Sequence, residues 1–182
     1  MFLSFPNQVL AYFYSMIKIL LLSDTHSFLD NRLIKHIKNV DEVWHAGDIG
    51  DLSVCDEIRN YCSSLRAVYG NIDNQSIRQE HSKDLHFKLQ GVNFWITHIG
   101  GYPPKYSKEI KLELVKHQTN VFICGHSHIL KVIYDKEIDC LHLNPGAAGK
   151  HGFHQIQTAL LFDLENGELK NLRIVELEKN TK

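Results

Sequence analysis

Ile17-Lys18-Ile19-Leu20-Leu21-Leu22-Ser23-Asp24-Thr25-His26 is the stretch whose reading decides the fold. The apolar run reads as a strand, and Asp-x-His stands at its end. The same pattern returns four times along the chain. Gly47-Asp48 follows the apolar run 43–45, and Gly70-Asn71 follows 67–69. Thr97-His98 closes the run 92–96, and Gly125-His126-Ser127-His128 follows 121–124. In an α/β sheet the strand ends open onto one rim, so side chains distant in sequence converge there. Asp24, His26, Asp48, Asn71, His98, His126 and His128 make a donor set of nitrogen and oxygen only. Such a set is too large for one metal and suits two ions bridged by a carboxylate. The chemistry implied is two-metal hydrolysis of a phosphate ester.

Outward from that stretch, strands and helices alternate. A helix is expected near 29–39, where Leu33, Ile34 and Ile37 recur at helical spacing, then a strand at 43–45, a helix near 53–62 and a strand at 65–69. This β-α-β-α-β opening predicts a parallel sheet with right-handed crossovers. The polar segment 73–83 reads as a loop or a frayed helix. Residues 85–89 and 92–96, split by Gln90-Gly91, read as a hairpin, and 106–117 as the last clear helix. After 121–124 come further strands at 130–134, 140–143, 158–163 and 168–175, the last two joined by an Asn166-Gly167 turn. The second half is thus β-rich and expected to be largely antiparallel, giving two packed sheets with helices outside.

Composition sets the bounds. The chain has 182 residues and a net charge of −1, with cations spread evenly, so no electrostatic footprint for nucleic acid or an anionic membrane stands out. Histidines number 12; of these His36, His81, His86 and His117 sit among charged residues and read as solvated. Cys55, Cys62, Cys124 and Cys140 show no paired spacing and read as reduced core residues of a cytoplasmic protein. Cys124 next to Gly125-His126 is a candidate soft ligand, though a place in the strand core is favoured.

Residues 1–15 are apolar and aromatic, but they lack a basic leader and a small-residue cleavage site, and Pro6, Asn7 and Gln8 interrupt them. Lys18 spoils any membrane span. They are read as an N-terminal extension, with Met16 as the functional start and 16–182 as a single domain.

Asp-x-His, Gly-Asp, Gly-Asn, a histidine after a strand, and Gly-His-x-His in this order resemble the calcineurin-like metallophosphoesterases, over nearly the whole chain from Met16. Gly70-Asn71-Ile72-Asp73 and Asn144-Pro145-Gly146 are similar to the short bacterial and archaeal phosphodiesterases of that family. The same branch holds a retromer subunit that serves as a protein-binding scaffold. The resemblance implies a four-layer α/β/β/α sandwich of two mixed β-sheets flanked by helices. It also implies a metal-dependent phosphodiesterase whose catalytic core is Asp48, Asn71 and His98. One ion falls to Asp24, His26, Asp48 and His128, and the other to Asp48, Asn71, His98 and His126. A hydroxide shared by ions roughly 3.5–4 Å apart would attack phosphorus in line. Such ligands suit Mn²⁺, Fe²⁺, Zn²⁺ or Ni²⁺, with Mn²⁺ favoured.

Charge balance points the same way. Two divalent ions, less Asp24, Asp48 and a hydroxide, leave one positive charge, which a phosphodiester monoanion neutralises. Asp51 or Asp73, if close behind the ligands, would alter that sum. The expected substrate is a small phosphodiester or nucleotide, with long nucleic acid disfavoured, no membrane contact and the oligomeric state open. One departure from the wider family matters. Many members carry a histidine after Gly-Asn that helps protonate the leaving group, and here Ile72 stands instead. Such protonation is typically worth about 10²–10⁴-fold, so slow turnover of unactivated alkyl esters is expected. His151 and His154 are candidates to fill the gap, with a surface loop the favoured reading of both.

Each ligand also has a plainer reading. Taken alone, Asp24 and Asp48 read better as helix N-caps after strands than as ligands. His45 and His142 read as buried supports, and Asn144-Pro145-Gly146 as a turn that shapes the rim and binds no metal. The segment 100–106 could gate the pocket, with Tyr102 and Tyr106 as stacking groups, or be a loop without a substrate role. A scaffold that binds a partner, or a phosphomonoesterase, is the alternative to the diesterase.

Overall fold

The structure, a computed structural model, describes residues 15–178. Of the expected extension only Ser15 falls among them, its carbonyl accepting from Gln90 Nε2 at 2.7 Å. The reading of 1–14 lies outside the described residues.

The first half runs β1 (Ile17–Leu22), α1 (Asn31–Ile37), β2 (Glu42–His45), α2 (Leu52–Arg59), β3 (Leu65–Ala67), α3 (Gln75–Glu80), β4 (Asp84–Leu89) and β5 (Val92–Thr97). The second runs α4 (Lys108–Lys116), β6 (Val121–Ile123), β7 (Leu130–Asp135), β8 (Cys140–Pro145), β9 (Ile156–Glu165) and β10 (Glu168–Glu178). One sheet has the order β10-β9-β1-β2-β3, with β1, β2 and β3 parallel and β9 and β10 antiparallel additions. The other has the order β4-β5-β6-β8-β7. In it β5, β6 and β8 are parallel, and β4 and β7 flank them antiparallel.

Two details differ from the sequence reading. The second sheet has a parallel centre, because α4 carries the chain back between β5 and β6 and β7 turns it again before β8. The polar segment 73–83 contains a true short helix, α3, whose N-cap Asn74 accepts from Ile77 N–H and whose Ile77 is buried.

Side-chain alternation explains the layering. Leu20 and Leu22 of β1 pack with Leu33 and Ile37 of α1 and with Val54 and Ile58 of α2. From the opposite face of β1, Ile19 and Leu21 meet Phe94, Ile96 and Ile123 of the second sheet around the Trp44 ring. Phe122 and Trp95 point the other way, into a third cluster with Tyr106 and Leu114 on the α4 side. Three apolar clusters therefore fill three gaps between four layers. A strand buried on both faces must be apolar throughout, as 19–22 is. Both sheets turn the carboxyl ends of their parallel strands to one rim.

Candidate metal centre

Each ligand candidate sits on a turn just past a strand. Asp24 and His26 follow β1, Asp48 follows β2, Asn71 follows β3, His98 follows β5, and His126 and His128 follow β6. Backbone bonds stitch the turns together. Asp24 N–H donates to Gly47 O at 2.9 Å, His26 N–H to Asp48 O at 3.0 Å, and Gly125 N–H to His98 O at 3.0 Å. The two sheets are joined across the rim by His126 N–H donating to Asp24 Oδ2 at 3.1 Å.

Asp24, His26, Asp48, His126 and His128 all adopt positive φ, between 47° and 67°. Left-handed backbone is uncommon for residues with a Cβ, and such strain gathers at functional sites. Gly47, at φ 94°, is needed outright, since a Cβ there would lie 2.7 Å from His98 Nδ1. Gly70 leaves room for Asp48, whose carboxylate a Cβ at that position would strike. The Gly-Asp and Gly-Asn dipeptides are thus packing requirements of the site.

The side chains form two groups, Asp24 with His26 and His128, and Asp48 with His98 and His126. Within the first, Asp24 Oδ1 lies 3.1 Å from His128 Nε2 and 4.0 Å from His26 Nε2. Within the second, Asp48 Oδ1 lies 3.2 Å from His98 Nε2. The other carboxylate oxygen of Asp48 faces back to His26 Nε2 at 3.9 Å. Asp24 Oδ1 also stands 4.0 Å from His98 Nε2. Asn71 is exposed and shares a cavity wall with His98, while the next residue, Ile72, donates its N–H to Asp48 Oδ1 at 3.0 Å.

Supporting atoms decide which lone pairs face inward. Asp24 Oδ2 is occupied by Ser23 Oγ–H at 2.6 Å and by the His126 amide, which leaves Oδ1 buried without a hydrogen-bond partner. His98 Nδ1 donates to Ala46 O at 2.8 Å, so its lone pair is on Nε2, also buried without a well-formed hydrogen bond. Two orphaned donor atoms in one buried pocket are costly unless a cation completes them. On that ground the residues present fit divalent metal.

The charges agree. Burial opposes ionisation of Asp48, yet the close His98 ring and the Ile72 amide hold its carboxyl below the usual range. His98 is pulled down by burial and, more strongly in sum, raised by Asp48 and Asp24. His26 is lowered, mainly by burial.

Some readings of the sequence need correction. Asp24 and Asp48 are not helix caps; those places belong to Asp30 on α1 and Asp51 on α2, so Asp51 is spent on Ser53 N–H and faces away from the charge count. Tyr106 is buried, with its hydroxyl on His142 Nδ1 at 3.1 Å, and cannot stack on a substrate; Tyr102 is exposed beneath Lys131 Nζ. His81 is buried beside Cys55 Sγ rather than solvated. The loop with His151 and His154 is at the surface, as read from the sequence, and lies against the site: the His151 ring is 4.7 Å from that of His26, and the His154 ring 5.4 Å from that of His128. All four cysteines are free and buried, and Cys124 belongs to the third apolar cluster, with burial pushing its thiol up to about 12.

His45 and Asn144 support the turns, as expected. His45 Nδ1 accepts from Gly47 N–H, and its Nε2 meets Thr25 Oγ1 at 2.9 Å. Asn144 Nδ2 donates to Gly125 O at 2.8 Å and to Ser127 Oγ at 3.2 Å. Asp73 does more than its sequence context announces. Its carboxylate accepts from Gly70 and Gly50 N–H, each at 2.7 Å, and from Ile49 N–H at 3.2 Å, clamping the Asp48 and Asn71 turns together. The only signal is its place at the end of Gly-Asn-Ile-Asp.

Comparison with known proteins agrees with this geometry. Residues 17–167 match the calcineurin-like phosphoesterase superfamily domain. A phosphodiesterase of Methanocaldococcus jannaschii is 29% identical over 170 residues, covering 85% of this chain and 98% of that protein. Among solved structures, an archaeal phosphodiesterase has a TM-score of 0.64 at 25% identity, over 88% of this chain and all (100%) of its own. Zinc-bound Vps29 of Entamoeba histolytica has a TM-score of 0.70 at 15% identity, over 89% of this chain and 99% of that one, a likeness of fold. With its motifs in family order at the strand ends of this sandwich, the chain belongs to the calcineurin-like phosphoesterase superfamily.

Proposed function

We propose that the chain is a metal-dependent phosphodiesterase with a two-ion centre. Asp24, His26 and His128 would hold one ion and Asn71, His98 and His126 the other, with Asp48 between them. The observation that carries this reading is the stance of Asp48, whose oxygens face different groups, Oδ1 towards His98 and Oδ2 towards His26. When bound, divalent ions supply Lewis acidity at the phosphoryl oxygens and an activated water near neutral pH. The chain's own part is to orient. Ala46 O keeps the His98 Nε2 lone pair inward, Ser23 turns Asp24 Oδ1 inward, and Asp73 holds two ligand turns at a fixed spacing. Donors of nitrogen and oxygen suit Mn²⁺, Fe²⁺, Zn²⁺ or Ni²⁺, and Mn²⁺ is the ion chosen for the test.

Ile72 is 46% exposed where a proton donor would help, so aryl esters with good leaving groups are the preferred assay substrates. Two carboxylates in the set leave a charge that suits a diester monoanion. The even charge distribution favours small substrates over long nucleic acid. No helix among the described residues is long and apolar enough to cross a membrane. Four free cysteines suit a reducing compartment such as the cytoplasm.

The test is Mn²⁺-dependent hydrolysis of bis(p-nitrophenyl) phosphate beside p-nitrophenyl phosphate, with metal bound at equilibrium counted in parallel. Two ions per chain and faster turnover of the diester are expected. Asp48→Asn should lower turnover by at least about 100-fold and reduce the metal count. A metal-loaded chain that leaves the diester intact would end this reading.

A further inference from the structure

A cavity of about 510 Å³ opens beside the candidate centre, on its Asn71–His98 side. Its size falls within the range of roughly 300–1,000 Å³ seen for small-molecule sites. Asn71 and His98 form the inner wall, so a group bound in the cavity adjoins a phosphate held at the centre. Tyr69 and Ile99 give it apolar walls, with Ile99 54% exposed. Arg78 of α3 and Lys83 line the rest.

Arg78 differs in its partners from three other arginines. Arg32, Arg59 and Arg66 each pair with a carboxylate, of Asp30, Glu80 and Glu42 respectively. Among the described residues no carboxylate pairs with Arg78 or Lys83. Arg78 is nonetheless held firmly. Its Nε donates to Asp73 O at 2.7 Å and its Nη2 to Asn71 O at 3.2 Å, while the guanidinium lies 4.8 Å over the Tyr69 ring. The hydrogen bonds to neutral carbonyls fix the fork without cancelling its charge. A preorganised guanidinium beside a lysine is a phosphate-binding arrangement.

We propose that this cavity is a subsite for a second phosphate, and that the substrates are nucleotide diesters whose sugar carries one. The base and sugar lie against Tyr69 and Ile99, and the second phosphate meets Arg78 and Lys83. The proposal rests on the phosphodiesterase reading above.

Two p-nitrophenyl esters that differ by one group test it: thymidine 5′-(p-nitrophenyl phosphate) and the same compound with a 3′-phosphate. With Mn²⁺-loaded protein, the 3′-phosphorylated ester should show a kcat/KM about tenfold higher, and Lys83→Met should cut that ratio about threefold. Using the ratio removes any general damage done by the substitution. Calorimetric titration of metal-free protein with thymidine 3′,5′-bisphosphate and thymidine 5′-monophosphate gives a second readout, in which the bisphosphate should bind more tightly and lose its advantage in Lys83→Met. Equal kcat/KM and equal affinity for each pair would overturn the subsite, as would a preference that Lys83→Met leaves intact. If neither ester is hydrolysed but the calorimetric preference is present and sensitive to Lys83→Met, the subsite stands and the phosphodiesterase reading falls.

Discussion

At the scale of single residues, the centre depends on side chains that never face its middle. Asp73 is the clearest case, since one carboxylate receives three amides from two different turns. Truncation at this position strands those buried N–H groups, each costing about 1–3 kcal/mol. Asp73→Ala should therefore lower the unfolding free energy by roughly 2–4 kcal/mol, allowing for relaxation. It should also weaken metal binding by about 10–100-fold, because the Asp48 and Asn71 turns lose their common anchor. Urea unfolding of the metal-free chain and a metal titration at a pH and temperature where the variant is folded would check the two effects separately. Asp24 and Asp48 are readable as ligands because a motif surrounds each. Asp73 is legible only as an acid that could stand close behind them, since nothing local announces its three donors.

At the scale of elements, ordinary aspartate chemistry and site chemistry sit a few residues apart. Asp30 caps α1 by accepting from Arg32 N–H and also pairs with the Arg32 side chain, while Asp51 caps α2 by accepting from Ser53 N–H. Replacing a cap of this kind costs about 1 kcal/mol of stability. Asp30→Ala and Asp51→Ala should each lower the unfolding free energy by that amount, read from urea curves, and leave diester turnover at the parent level. A large loss of turnover in either would mean that these caps set the ligand turns. Helices α1, α2 and α4 are legible from their apolar period, whereas α3 and the capping residues are not. The parallel centre of the second sheet is not, because pairing direction depends on where α4 and β7 send the chain, and no short window of sequence records that route.

Over the whole molecule, burial makes two histidines sensors of acid. His45 and His142 are inaccessible to solvent, and desolvation lowers each from 6.5 to about 4. Between those values the unfolded chain takes up protons that the folded chain refuses. Their contribution to stability is therefore complete above pH 6.5 and is lost as pH falls towards about 4. Each tenfold difference in proton affinity between folded and unfolded chain is worth roughly 1.4 kcal/mol, so together they should weaken the fold by several kcal/mol over that window. Urea midpoints of metal-free protein at pH 7 and pH 4.5 measure the effect. His142→Phe, whatever its stability at pH 7, should lose less between the two conditions than the parent does. An unchanged difference would show that His142 takes up a proton in the folded state.

The sequence by itself determined the layered sandwich, the order of the ligand-bearing turns and the seven side chains proposed to bear on metal. Periodicity, strand ends and short motifs are local properties, and burial on both faces of β1 demands the apolar run that announces it. Only the tertiary structure decided which atoms of Asp24 and His98 are left unpartnered. It also decided that Tyr106 is core and that Arg78 and Lys83 share a cavity with the centre. Each of these depends on which turn lies against which. That is settled by packing two sheets through a common core, at separations in sequence no local pattern spans.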